Sequence, residues 1–131
     1  MGMFDAIGIA STGLTVHRHW LDAISDNIAN VNTAKPTSGA AFQARYVEVQ
    51  EGAGVSGAYV KSTTLGSAAG RLTYDPSNPI ADKDGYVRLP DIDLGTQMSD
   101  LIMAQRGYQA NAAVVDRAKT AYEAALEIGR N

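Results

Sequence analysis

No cysteine occurs among the 131 residues. That removes disulfides, thiolate metal sites and cysteine nucleophiles together, and it leaves the chain able to work in a reducing or an oxidising compartment. Bulky apolar residues are scarce as well. There are nine aromatics, and 21 of the apolar residues are alanine, which buries little area per contact. Such a composition serves long helices that approach closely better than it serves a self-sufficient globule. No apolar run nears the roughly 20 residues needed to cross a bilayer, and no Lys/Arg-rich amphipathic stretch marks a membrane-surface helix, so no direct membrane insertion is expected. The net charge of -3 and the absence of a basic patch argue against nucleic acid as a partner. The first residues lack the basic start and apolar run of a secretory signal. Composition alone therefore reads as cytoplasmic, and a protein exported through a dedicated channel without a cleaved signal would look the same.

What is present divides the chain into helix, β-rich middle and helix, an α+β arrangement with expected bounds 1–33, 34–92 and 93–131. In the first zone Ile7, Leu14, Leu21 and Ile28 recur every seven residues, and Ala10, His17, Ile24 and Val31 form an offset series. Together they make an a/d heptad pattern on a helix of roughly 40 Å. Asn30, Asn32 and Thr33 favour an end, and Pro36 forbids more helix. The middle zone holds all four prolines and most of the glycines. Within it, residues 42–47, 59–64 and 71–74 read as strands, and Asp84-Gly85 reads as a turn before a strand at 86–89. In the last zone Asp93 is the expected N-cap. Leu94, Leu101, Tyr108, Val115 and Tyr122 recur every seven residues, with Met98, Gln105, Ala112, Lys119 and Leu126 as the offset series.

Two long helices of matched period should pair with each other, antiparallel if the middle zone folds back at one end. Val114, Ala118, Ala121, Ala125 and Ile128 widen the apolar face of the second helix beyond a single seam. Two helices alone would leave half of each broad face bare, and bare apolar surface favours association with other chains.

Chemistry finds little support. His17 and His19 point in different directions on a helix and have no third ligand nearby, so a partly buried, hydrogen-bonded His17 is the expected reading. The 82–85 segment DKDG resembles a calcium loop, but Ile80 stands where the first acidic ligand is required, so it reads as a surface turn. No phosphate-binding glycine loop or nucleophile elbow occurs. Trp20 reads as packing or interface. No cofactor and no catalytic group is expected, and the chain reads as a non-enzyme.

Two flanking motifs carry a resemblance. Residues 27–33 read NIANVNT, similar to the N-x-A-N-x-N-T signature of the flagellar axial proteins of rod and hook, and residues 98–111 read MSDLIMAQRGYQAN, similar to the M-x-x-[LM]-I-x-A-Q-R-x-Y-Q-A-N signature of the same family. A third stretch, YDPSNPIADKDGYVRLP at 74–90, is similar to one typical of the short proximal-rod members. Leu94 departs from a common proline, and Gly107 stands where alanine or serine is usual. The resemblance implies a structural subunit of the rod, the drive shaft running from membrane ring to hook. It implies delivery by the flagellar type III export apparatus, assembly in the periplasmic space with other rod proteins and copies of itself, and a need for the chain in motility. It also implies terminal helices in an inner layer and a middle domain facing outward.

The expected assembly residues are Ile7, Leu14, Leu21, Ile28, Leu101, Tyr108, Val115 and Tyr122 from the stripes, with Asn27, Asn30, Gln109 and Asn111 as register-setting hydrogen bonders, caps or solvent-facing groups. The alternatives are a different axial component or, in another class, a soluble coiled-coil binding module.

Overall fold

The computed structural model describes residues 2–130. Its elements are α1 (Met3–Ala29), β1 (Arg45–Glu51), β2 (Ala58–Leu65), β3 (Arg71–Tyr74), β4 (Tyr86–Leu89) and α2 (Leu94–Arg130). The first helix starts where Asp5 accepts the Gly2 amide at 2.9 Å. It ends at Ala29, earlier than the heptads imply, because Asn30 turns back: its amide donates to the Asp26 carbonyl at 2.9 Å while its own carbonyl oxygen accepts from the Thr33 hydroxyl. Asp93 caps α2 by accepting from the Thr96 hydroxyl at 2.6 Å and the Gly95 amide at 3.3 Å, and the Thr96 hydroxyl first, then the Gly95 and Thr96 amides, hold its carboxyl below the ordinary aspartate value against the opposing effect of desolvation.

The middle of the chain forms two separate antiparallel pairs, β1 with β2 and β3 with β4, rather than one sheet. A bulge between Glu48 and Val49 breaks the first register and adds local twist. This hairpin lies along α1 and is pinned to it at both ends. At one end the Arg45 amide donates to Asn27 Oδ1 at 2.8 Å and Arg45 pairs with Asp26. At the other, the Ala58 amide donates to Thr12 Oγ1 at 3.1 Å, where Gly57 (φ 77°) lies too close to Thr12 for any side chain. Thr12 and Asn27 are about four turns apart on α1, roughly 22 Å. A seven-residue strand spans about the same length, so helix and hairpin match in reach.

The second hairpin is fastened to the linker after α1. Lys35 and Arg88 exchange two backbone hydrogen bonds of 2.8 Å, and the Arg88 guanidinium donates to the carbonyls of Thr37 and Ala69. Its tip is organised by Asp82, which accepts from the amides of Tyr86 (2.9 Å) and Asp84 (3.0 Å) and from the Thr37 hydroxyl (2.9 Å). Tyr74 and Tyr86 stack edge to face at 5.4 Å beside it.

The buried apolar core is small-chained: Ala10, Val16, Ala23, Ile24, Ala41, Ala44, Val87, Ile92 and Ala104. Alanine at these places lets backbones close in, and dense packing takes the place of large buried side chains.

The Tyr86 amide lowers the Asp82 carboxyl most, with burial opposing and Thr37, Asp84 and Gly85 adding to the lowering. A group lowered in the folded state supports the fold above its unfolded value, about 3.9, and loses that support as pH falls through the folded value. Acidification below about pH 4 should therefore lower the exchange protection factors of the Asp84 and Tyr86 amides before those of α1. The Asp82→Ala variant should show the same local loosening at neutral pH, read by exchange-resolved NMR.

Candidate assembly interface

The two helices pair antiparallel along most of α1. Asn27 meets Gln97, His17 meets Gly107, Gly13 meets Asn111, and Phe4 packs edge to face on Tyr122 at 5.3 Å. In every pair but the last the residue numbers sum to 124, so a single register holds from Gly13 to Asn27, about four turns of α1.

At the hairpin end the pairing closes on a buried polar hub. Asn27 is 1% exposed and Gln97 3%. The Asn27 amide donates to Gln97 Oε1 at 3.0 Å and to the Arg45 carbonyl at 2.9 Å, and its carbonyl oxygen accepts the Arg45 amide at 2.8 Å. One side chain thereby joins α1, α2 and β1 with its hydrogen-bonding groups occupied. A buried amide satisfied in this way fixes geometry, whereas an unsatisfied one would be costly. Asn27 thus serves the fold of its own chain, its polar atoms engaged within it and out of reach of solvent.

The other expected polar residues lie apart from one another. Asn30 closes the end of α1. Gln109 is exposed. The Asn111 amide bonds back to the Gly107 carbonyl at 2.8 Å while its head lies over Gly13. Of the stripe residues, Ile7, Leu14, Leu21, Ile28, Leu101 and Val115 are half-buried, and Tyr108 and Tyr122 are exposed. His17 is partly buried and donates from Nδ1 to the Gly13 carbonyl at 2.7 Å, in a packing role.

The offset series read for α2 is displaced by one residue. Met98 and Leu126 are exposed, as are Gln105 and Lys119, while Ala112 is half-buried, and the seam runs through the buried Gln97 and Ala104 to the half-buried Asn111 and Ala118. Its polar and small members hide this series from a search for apolar periodicity, although the seven-residue spacing is legible once Gln97 is included. Thr12 and Gly13 gave no such signal, because their roles depend on partners distant in sequence.

Beyond these seams a large apolar surface stays open. Leu94, Met98, Ile102, Met103, Val114, Leu126 and Ile128 of α2 are exposed, as is Phe4 of α1. Met103, Ala110, Val114, Ala121 and Ile128 lie within a narrow arc of the helix by their spacing and are all exposed. Past Tyr122, α2 overhangs its partner by about two turns, roughly 12 Å, and every residue there is exposed. No described helix is long and apolar enough to cross a membrane. Among the described residues no group of three or more His, Asp or Glu side chains could hold a metal ion.

A long terminal helix pair with open apolar flanks and small hairpins at its side is the architecture of a subunit built to pack among others. The family described as "Flagellar basal body rod FlgEFG protein C-terminal" matches residues 83–128, which covers the end of the second hairpin and most of α2. Over nearly the whole chain the sequence is similar to flagellar basal-body rod proteins named FlgC. It is 35% identical to that of Borreliella burgdorferi over 98% of both chains, 35% to that of Aquifex aeolicus over 97% of both, and 31% to that of Bacillus subtilis over 99% of this chain and all of the other. The chain belongs to the FlgC family of flagellar basal-body rod proteins.

Truncating the hub strands buried polar groups on two other elements. Asn27→Ala should cost about 2–3 kcal/mol of stability. Gln97→Ala should cost less, about 1 kcal/mol, because it breaks one of the three hydrogen bonds. The double variant should fall short of the sum. Urea denaturation of the four chains measures all three quantities.

Proposed function

We propose that the chain is a structural subunit of the flagellar basal-body rod and carries no enzymatic activity of its own. Membership of a rod-protein family supports this directly. The observation that carries it is the row of exposed apolar residues on α2, Met103, Val114 and Ile128 above all, which is left uncovered by the described residues and lies parallel to a long axis. Copies of this chain and other rod proteins are the partners it fits, and helix pairs laid side by side would bury these flanks. Ile7, Leu14, Leu21 and Ile28, half-buried along α1, supply a further face, and Leu101, Tyr108, Val115 and Tyr122 border the seam from α2. In this reading residues 1–33 and 93–131 form the polymerisation core, and residues 34–92 form a β-rich middle that faces outward.

The rod so built is a proximal drive shaft in the periplasmic space, passing motor torque to the hook and required for motility. Subunits reach it through the flagellar export apparatus. The alanine-rich seam fits that route, since an ordered but modestly stabilised helix pair is readily unfolded for transport and gains its remaining apolar contacts on assembly. A soluble coiled-coil module would instead form a discrete dimer or trimer, which light scattering distinguishes from open-ended or partner-dependent association.

Val114→Glu and Ile128→Glu fall on exposed positions, so each should change the stability of the isolated chain by no more than about 0.5 kcal/mol. Together they should abolish swimming and hook-bearing basal bodies in cells lacking the native chain. Normal motility with intact basal bodies would overturn the assignment of this face.

A further inference from the structure

Heptad stripes of alanine and leucine are permissive. They let one helix slide along another by seven residues with little loss, or pair with the wrong helix altogether. Something in this chain must choose one register, and near the middle of the helix pair there is a reciprocal device of the required kind. On α1, Gly13 is followed one turn later by His17, whose Nδ1–H donates back to the Gly13 carbonyl at 2.7 Å. On α2, Gly107 is followed one turn later by Asn111, whose amide donates back to the Gly107 carbonyl at 2.8 Å. Each side chain is thus tied down by its own helix and laid across the glycine of the other.

A methyl group at Gly107 would collide with the imidazole, 3.0 Å from Cε1 and nearer to Nε2 and Cδ2. One at Gly13 would lie 2.9 Å from Asn111 Nδ2 and 2.6 Å from Cγ. Both notches are filled by the facing key.

We propose that Gly13 and His17 on α1, interlocked with Gly107 and Asn111 on α2, form a shear lock that selects the register of the helix pair and directs each end of the chain to the other. The alternatives show its selectivity. A slip of one heptad in one direction sets His17 against Val114 and Asn111 against Trp20. The opposite slip sets His17 against Asp100 and Asn111 against Ala6. Neither leaves a key over a glycine, and both part Asn27 from Gln97. The lock lies about three turns from that hub, roughly 15 Å, so two separated points hold the pair against sliding and against rotation. This goes beyond the rod reading and does not depend on it, since the lock belongs to the single chain.

A double-mutant cycle tests it by sign. Alanine is a better helix former than glycine, so an unconstrained Gly107→Ala change raises helix stability. The lock requires the opposite. Gly107→Ala lowers the melting midpoint of the full chain, followed by circular dichroism, by about 3–8 °C. In the His17→Ala background the same substitution raises it. A Gly107→Ala chain that melts at or above the parent, or a shift of the same sign in both backgrounds, overturns the proposal. Should Gly107→Ala fail to accumulate as soluble protein, recovery of soluble chain in His17→Ala/Gly107→Ala supports the lock, and no recovery refutes it. Swimming of cells carrying each variant is a separate readout that bears on the rod reading.

Discussion

Everything in this chain hangs on the antiparallel closure of α1 upon α2, and that closure rests on small residues. A seam of Ala10, Ala104 and two glycines, Gly13 and Gly107, each facing a side chain of the other helix, brings the two backbones together, so its energy comes from dense contact along its length. The polar hub at Asn27 converts a sticky pair into an oriented one, because a buried amide with three defined partners tolerates one arrangement only. From that hub the hairpin is carried back along α1 to Thr12, and the second hairpin is tied to the linker by Arg88.

The helices and their pairing were legible in the sequence because heptad spacing survives even when the residues are small. Pro36, Asp93 and the glycine-rich middle marked where the helices stop and start. The strands at 59–64, 71–74 and 86–89 were legible from β-branched and aromatic residues. Phe42 and Ala44 alternate like strand residues, so the sequence pattern starts the first strand at 42. In the structure these two precede Arg45, and Ala44 instead goes into the core. The α2 seam was misplaced by one residue for a physical reason: Met98 is more apolar than Gln97, yet burial here follows hydrogen bonding to Asn27 rather than hydropathy.

The candidate interface was legible in outline and obscured in detail. Sequence periodicity identifies a helix face but cannot say whether that face is consumed by its own chain or left for another. The structure separates the two: Gln97, Ala104 and Asn27 are taken up internally, while Met103, Val114 and Ile128 remain outside. Gly107 makes the same point. As a lone glycine within a helix it reads as a defect worth about 1 kcal/mol, and only the facing imidazole of His17 gives it a purpose.

The pairing should be firmest at the Asn27 hub and weaken toward the overhang, since the polar closure lies at the hub and the hairpin reaches no further along α1 than Thr12. Hydrogen exchange along both helices of the isolated chain, compared with the same chain in assembled rods, measures this directly. Slow exchange at residues 20–28 and 97–107 of the free chain, with residues 3–9 and 119–130 protected only after assembly, is the expected result. Equal, strong protection from end to end in the free chain would contradict it.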